Sequence, residues 1–227
     1  MSRGGITVRS RWTMSIGILL GGFVFSGCGL SASPSAHKHP IVSGRNLRFK
    51  KAPPLSIHVN KTYLAHFVTT AGNFTMTLFA KKDPVAANNF VFLARHHFFN
   101  GDTFFRVIKH FMVQTGDPLN RGTGGPGYSW NAELPPTYPY APGIVAMAHA
   151  QSPNSNGSQF FICTGQECAG LNQRPYNTYT EVGRITHGLS VVDKIASGKV
   201  TANPLMNGEV SKPLHPYTIK NITIQVK

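Results

Sequence analysis

Acidic side chains are scarce in this chain: 8 Asp and Glu stand against 22 Lys and Arg in 227 residues. The shortage leaves little material for reactions that need paired carboxylates, and the acids do not fall into a general acid and base pair along the sequence. Metal chemistry lacks its motifs too, with no HExxH, no paired cysteines at zinc spacing and no evident ligand set. A GxSxG nucleophile elbow is absent. The glycine-rich "NRGTGGPG" lacks the Gly-Lys-Ser/Thr ending and the following helix of a phosphate loop. Basic residues are scattered singly, without a block to track a phosphate backbone, so the formal charge of +14 reads as a basic surface rather than a nucleic-acid site. Such a surface suits an anionic cell envelope or an acidic medium.

What is present begins with an address. Arg3, Arg9 and Arg11 precede the apolar stretch "MSIGILLGGFVFSG" at 14–27, too short for a comfortable membrane span and shaped like an export signal. It ends in "FSGC", which resembles the bacterial lipoprotein signal, whose cysteine, here Cys28, becomes the lipidated first residue of the mature chain. The expected organisation is a signal peptide at 1–27, a lipidated N-terminus and flexible linker at 28–60, and a domain at 61–227. The protein would then sit outside the bacterial cytoplasmic membrane, held there by lipid. His37 and His39 read as solvated linker residues. Of the 3 cysteines, Cys163 ends an apolar run and reads as a buried thiol, while Cys168 lies in the following loop. Export would permit a disulfide between them, although close sequence neighbours rarely aim both side chains correctly.

From Tyr63 the pattern alternates. "YLAHFV" and "NFTMTL" flank a "TAGN" turn and predict a hairpin. Asp83-Pro84 predicts a helix start with a side-chain cap, Val85, Phe92 and Leu93 near its inner face, and a stop around Asn100-Gly101. Apolar strands follow at "GIVAMAHA", "SQFFICT" and "YTEVGRI", a short helix at 189–196, and a closing strand in "YTIKNITIQV". Many short strands with two helices and no repeated strand-helix unit predict a closed antiparallel barrel. In "FFRVIKHFMVQTGDP", Arg106 stands beside aromatic residues in a run that reads as half-buried strand. A charge held in an apolar cleft is either paired, with Asp102 or Glu133 as candidates, or placed to act on a ligand.

"FFRVIKHFMVQTGD" and "MAHAQSPNSNGSQFFICT", in this order, resemble the cyclophilin family of peptidyl-prolyl cis/trans isomerases, over a stretch from about Tyr63 to the C-terminus. The resemblance implies a mainly β fold, a closed eight-stranded antiparallel barrel capped by two α-helices. It implies Arg106 as the catalytic arginine, acting with Phe111 and Gln114, and an apolar wall of Met112, Phe161 and Leu171 around the substrate proline. Ala148, His149, Ala150 and Gln159 would line the groove for the residues before proline, with Tyr179 at the pocket edge. The family often has tryptophan before Leu171, where this chain has Gly170, so the resemblance leaves sensitivity to a cyclosporin-type inhibitor open. It implies no cofactor and no metal. The partners would be proline-containing segments of exported proteins, with the membrane held through lipidated Cys28, and nothing demands more than a monomer. A barrel that binds proline segments as a chaperone, without turnover, is the alternative.

Overall fold

The computed structural model describes residues 47–227; the expected signal peptide, Cys28, His37 and His39 lie outside the described residues. The elements run β1 (Tyr63–Thr69), β2 (Asn73–Leu78), α1 (Pro84–Arg95), β3 (Arg106–Ile108), β4 (Met112–Thr115), β5 (Ile144–Met147), β6 (Phe160–Cys163), β7 (Glu181–His187), α2 (Leu189–Ala196), β8 (Val200–Asn203), β9 (Glu209–Pro213) and β10 (Ile219–Val226). Eight strands form one antiparallel sheet in the order β10-β1-β2-β7-β5-β6-β4-β3, and β8 pairs with β9 as a separate hairpin. The sheet is a half-barrel and not the expected closed one. Its edges, β10 and β3, share no ladder and are linked by the Thr103–Thr218 bridge and the bond from Phe104 N to Tyr217 O. β3 is three residues long, too short to extend that bridge into a ladder.

Side chains alternate across a strand, and here both faces are covered. The inward set, Val107, Val113, Val145, Met147, Phe160 and Ile162, joins Phe67, Phe74 and helix α1 in the main core. Phe160 sits at its centre, with the rings of Phe90 and Phe99 at 5.5 and 5.6 Å between centroids. The outward set, Met112, Ile144, Ala146, Phe161 and Cys163, builds a second, smaller cluster with Leu171. This two-sided burial explains why β4, β5 and β6 are buried at every position.

Packing reaches ahead of the expected boundary at residue 61. Phe49 bonds through its backbone N to Pro126 O and sets its ring 4.8 Å from Phe92, and Ser56 N donates to Asn88 Oδ1. The final part of the expected linker is therefore laid along α1.

Helix α1 starts at Pro84 as expected, but the Asp83 side chain makes no cap bond. The Glu133 carboxylate, from a distant loop, accepts from Val85 N at 3.0 Å and Ala86 N at 2.8 Å and supplies the negative charge a helix N-terminus favours. Val85 is exposed rather than inward, and the buried face is built on Ala86, Ala87, Phe90, Val91, Leu93 and Ala94. The helix ends at Arg95. Glu133 thereby joins Asp83 and Glu181 in one acidic group, which the sequence did not reveal. Burial, then the charges of Glu133 and Glu181, push the Asp83 carboxyl up from 3.8 to about 7. A raised carboxyl means that the folded state holds a proton the unfolded chain has released, so this contribution to stability is complete below about 3.8 and is lost as pH rises through 7. The expected result is a Tm that falls between pH 5.5 and pH 8, and a flatter profile in Asp83→Asn. Thermal unfolding of both proteins at the two pH values checks it, and an equal fall in the variant refutes it.

Candidate active site

Antiparallel register sets the site as a row. Arg106 on β3 lies opposite Gln114 on β4, Gln114 lies opposite Phe161 on β6, and Phe161 lies opposite Ala146 on β5. Residues directly opposite share a face, so one charge, one amide and one aromatic ring line up across neighbouring strands. Arg106 Nη1 donates to Gln114 Oε1 at 3.0 Å, Gln114 Nε2 to Gln159 Oε1 at 3.0 Å, and Gln159 Nε2 to Gly124 O at 2.8 Å. The chain of amides fixes which Gln oxygen faces the arginine.

Beside the row stands the second cluster, where Met112, Phe161 and Leu171 are buried and Phe111, Ala148 and Tyr179 are partly buried. The Phe161 ring meets Tyr179 edge-on at 5.3 Å. His149 stacks on Tyr179 at 4.4 Å and touches Thr178 Oγ1 at 3.2 Å, while Ala148 N donates to Gln159 O. Ten of the eleven expected residues in the domain thus gather around one surface. Ala150 is tied instead to Ser155 Oγ and the His149 ring. Tyr140, which the sequence did not single out, places Tyr179 by donating to its carbonyl and accepting from its backbone N.

Cys163 is not a free thiol: it is disulfide-bonded to Cys168, with Cα atoms 5.8 Å apart. The intervening turn makes this possible. Gly165 passes so close to the His110 backbone that a Cβ would strike it, and the 3-10 turn Gln166–Asn172 folds Cys168 and Leu171 back onto the cluster. Thr164 N donates to Phe111 O at 2.9 Å, which locks the same turn to the loop carrying Phe111.

The partner of Arg106 is neither Asp102 nor Glu133. Glu209, at the start of β9, accepts from Nε and Nη2, each at 2.7 Å. Burial pushes the Glu209 carboxyl up, but the hydrogen bonds and charge of Arg106 outweigh it and hold the group below its ordinary value. In the sequence, the signal for its hairpin is the Asn207-Gly208 pair, both at positive φ.

The arrangement is an apolar surface with one oriented guanidinium and a line of amides, suited to a ligand that is mostly hydrophobic and polar at one point. A family model described as cyclophilin type peptidyl-prolyl cis-trans isomerase/CLD matches residues 64–224. The chain belongs to this cyclophilin family. The Helicobacter pylori peptidyl-prolyl cis-trans isomerase is 40% identical over 145 residues, covering 62% of this chain and 84% of that protein. The mouse peptidylprolyl isomerase domain and WD repeat-containing protein 1 is 37% identical over 162 residues, covering 69% of this chain, and there the match spans 23% of the relative's length. The crystal structure of a Cryptosporidium parvum cyclophilin type peptidyl-prolyl cis-trans isomerase superposes with a TM-score of 0.62 at 28% identity, over 72% of this chain and 98% of that one. The described domain is thus a cyclophilin-type isomerase domain, and the half-barrel is its cyclophilin-like scaffold.

Proposed function

We propose that the protein accelerates rotation about X-Pro peptide bonds in exported polypeptides, with Arg106 as the catalytic residue. The observation that carries the reading is the Arg106–Gln114–Phe161 row beside an apolar cluster of Phe111, Met112 and Leu171. An X-Pro bond resists rotation because the nitrogen lone pair is delocalised into the carbonyl, with a barrier of about 18–20 kcal/mol. In the twisted state the nitrogen regains that pair and accepts a hydrogen bond. A guanidinium aimed there stabilises the twisted state more than either planar one, which is the differential binding that speeds a reaction. The apolar wall holds the proline ring and removes water that would favour the more polar planar amide. Ala148, His149 and Gln159 would receive the residues before proline.

A second reading, a module that holds proline segments without turnover, draws on one observation: Glu209 already occupies one edge of Arg106. Counting donors answers it. Of five guanidinium N–H groups, Glu209 takes two and Gln114 one, which leaves one on each terminal nitrogen for substrate. Exchange NMR on a short X-Pro peptide tests the choice: faster cis/trans exchange supports the isomerase, and binding without acceleration supports the module.

The site of action is proposed from the sequence. "FSGC" before the linker supports lipidation of Cys28 and attachment at the outer side of the cytoplasmic membrane. Fatty-acid labelling in a bacterial host is expected for the full chain and lost in Cys28→Ala. Labelling that persisted in the variant would refute it.

A further inference from the structure

We infer that Glu209 is a positioning residue for the isomerase reaction: its carboxylate fixes the plane of the Arg106 guanidinium so that the two remaining N–H groups face the proline pocket. This rests on the proposed role of Arg106.

The geometry is that of a clamp. Glu209 engages the Nε/Nη2 edge side-on while Gln114 holds Nη1, so three bonds from two elements fix a planar group. Arginine is otherwise a long, rotamer-rich side chain that loses conformational entropy when it is ordered. With the clamp in place that cost is met before substrate arrives. The carboxylate is itself held. The 3-10 turn Pro204–Met206 seats the Met206 methyl over Gly122, the Asn203 side chain accepts from Leu205 N, and Gly208 N donates to Asn203 O. β8 and β9 are paired along their length. Glu209 therefore projects from a seated hairpin rather than a swinging lid. Its side chain is 33% exposed, against 15% for Arg106, so the carboxylate faces the arginine from the solvent side. Acids are scarce, and Glu209, one of only 8 in the chain, turns both carboxylate oxygens to Arg106.

The test compares wild type, Glu209→Gln, Arg106→Lys and the double variant by exchange NMR over a range of peptide concentrations, with 15N resonances of the Arg106 guanidinium as a second readout. Glu209→Gln is isosteric; it is expected to lower kcat by about tenfold to a hundredfold, with KM within about twofold, because misplacing a reacting group affects the transition state more than binding. The guanidinium resonances should broaden or average as its rotation is released. In the Arg106→Lys background Glu209→Gln should add little, since it acts through the arginine. Val210→Ala, exposed on the same hairpin, should leave kcat unchanged. If Glu209→Gln does not fold, Glu209→Asp, which keeps the charge and shortens the reach, is expected to lose kcat in the same way. An active wild type with an equally active Glu209→Gln overturns this inference alone, as does a full additional loss in the Arg106→Lys background. A wild type without turnover overturns both it and the proposed function.

Discussion

Arg106→Ala is expected to lose about 10²–10³ of kcat, the range found when one preorganised donor aimed at developing transition-state electron density is removed. Peptide affinity should change far less, because Phe111, Met112, Phe161 and Leu171 form the apolar wall independently of the arginine. The size follows from what the guanidinium is asked to do. Bringing X-Pro rotation from tens of seconds to milliseconds takes on the order of 5.5 kcal/mol, of which a charge-assisted donor in a desolvated site can supply about half to three quarters. The alanine variant also leaves the Glu209 carboxylate without its partner, so some stability is lost with it. Arg106→Lys separates the two effects. It keeps a positive charge near Glu209 but cannot make two side-on bonds and a third to Gln114, so folding should recover while kcat stays low. Exchange NMR with peptide titration gives kcat and affinity together. If Arg106→Ala kept kcat within about tenfold of wild type, the arginine would be no more than an ion-pair partner in the sheet, and the catalytic assignment would fall.

The sequence carried the parts of the fold whose signals are local. The β1–β2 hairpin, α2 at Leu189–Ala196 and the closing strand β10 follow from alternation, turn residues and capping within a few positions. What it did not carry depends on contacts far along the chain. Asp83 looks like a helix cap, but the cap comes from Glu133, 50 residues away, and nothing near Asp83 announces it. Glu209 is 103 residues from Arg106, so the pairing of this scarce acid with Arg106 was hidden behind nearer candidates. The disulfide misled for the opposite reason. A separation of five residues argues against Cys163–Cys168, until the tight passage of Gly165 over His110 bends the chain back. The residues of the candidate row were legible in composition and order, but the register that sets Gln114 between Arg106 and Phe161 is a property of paired strands.

Two adjacent phenylalanines on β6 should fail in different ways. Phe160 points into the main core, fully buried among Phe67, Phe90 and Phe99, and replacing it by alanine opens a cavity that a rigid sheet and helix cannot fill. The expected cost is about 3–5 kcal/mol of folding stability, a large part of the total for a domain of this size. Phe161 points the other way, into the second cluster, where Phe111, Ala148 and Tyr179 are only partly buried. Its neighbours border solvent and can settle or hydrate, so Phe161→Ala should lose less stability. What it removes is a pocket wall: roughly 1.5–3 kcal/mol of apolar contact with the proline ring, or about a tenfold to hundredfold rise in KM. Denaturant unfolding and peptide titration on both variants give a crossed pattern if the two faces are divided as described, with the midpoint shifting most in Phe160→Ala and KM most in Phe161→Ala. Equal stability losses with equal KM would mean that β6 serves one continuous core, and the outward cluster would no longer qualify as the proline site.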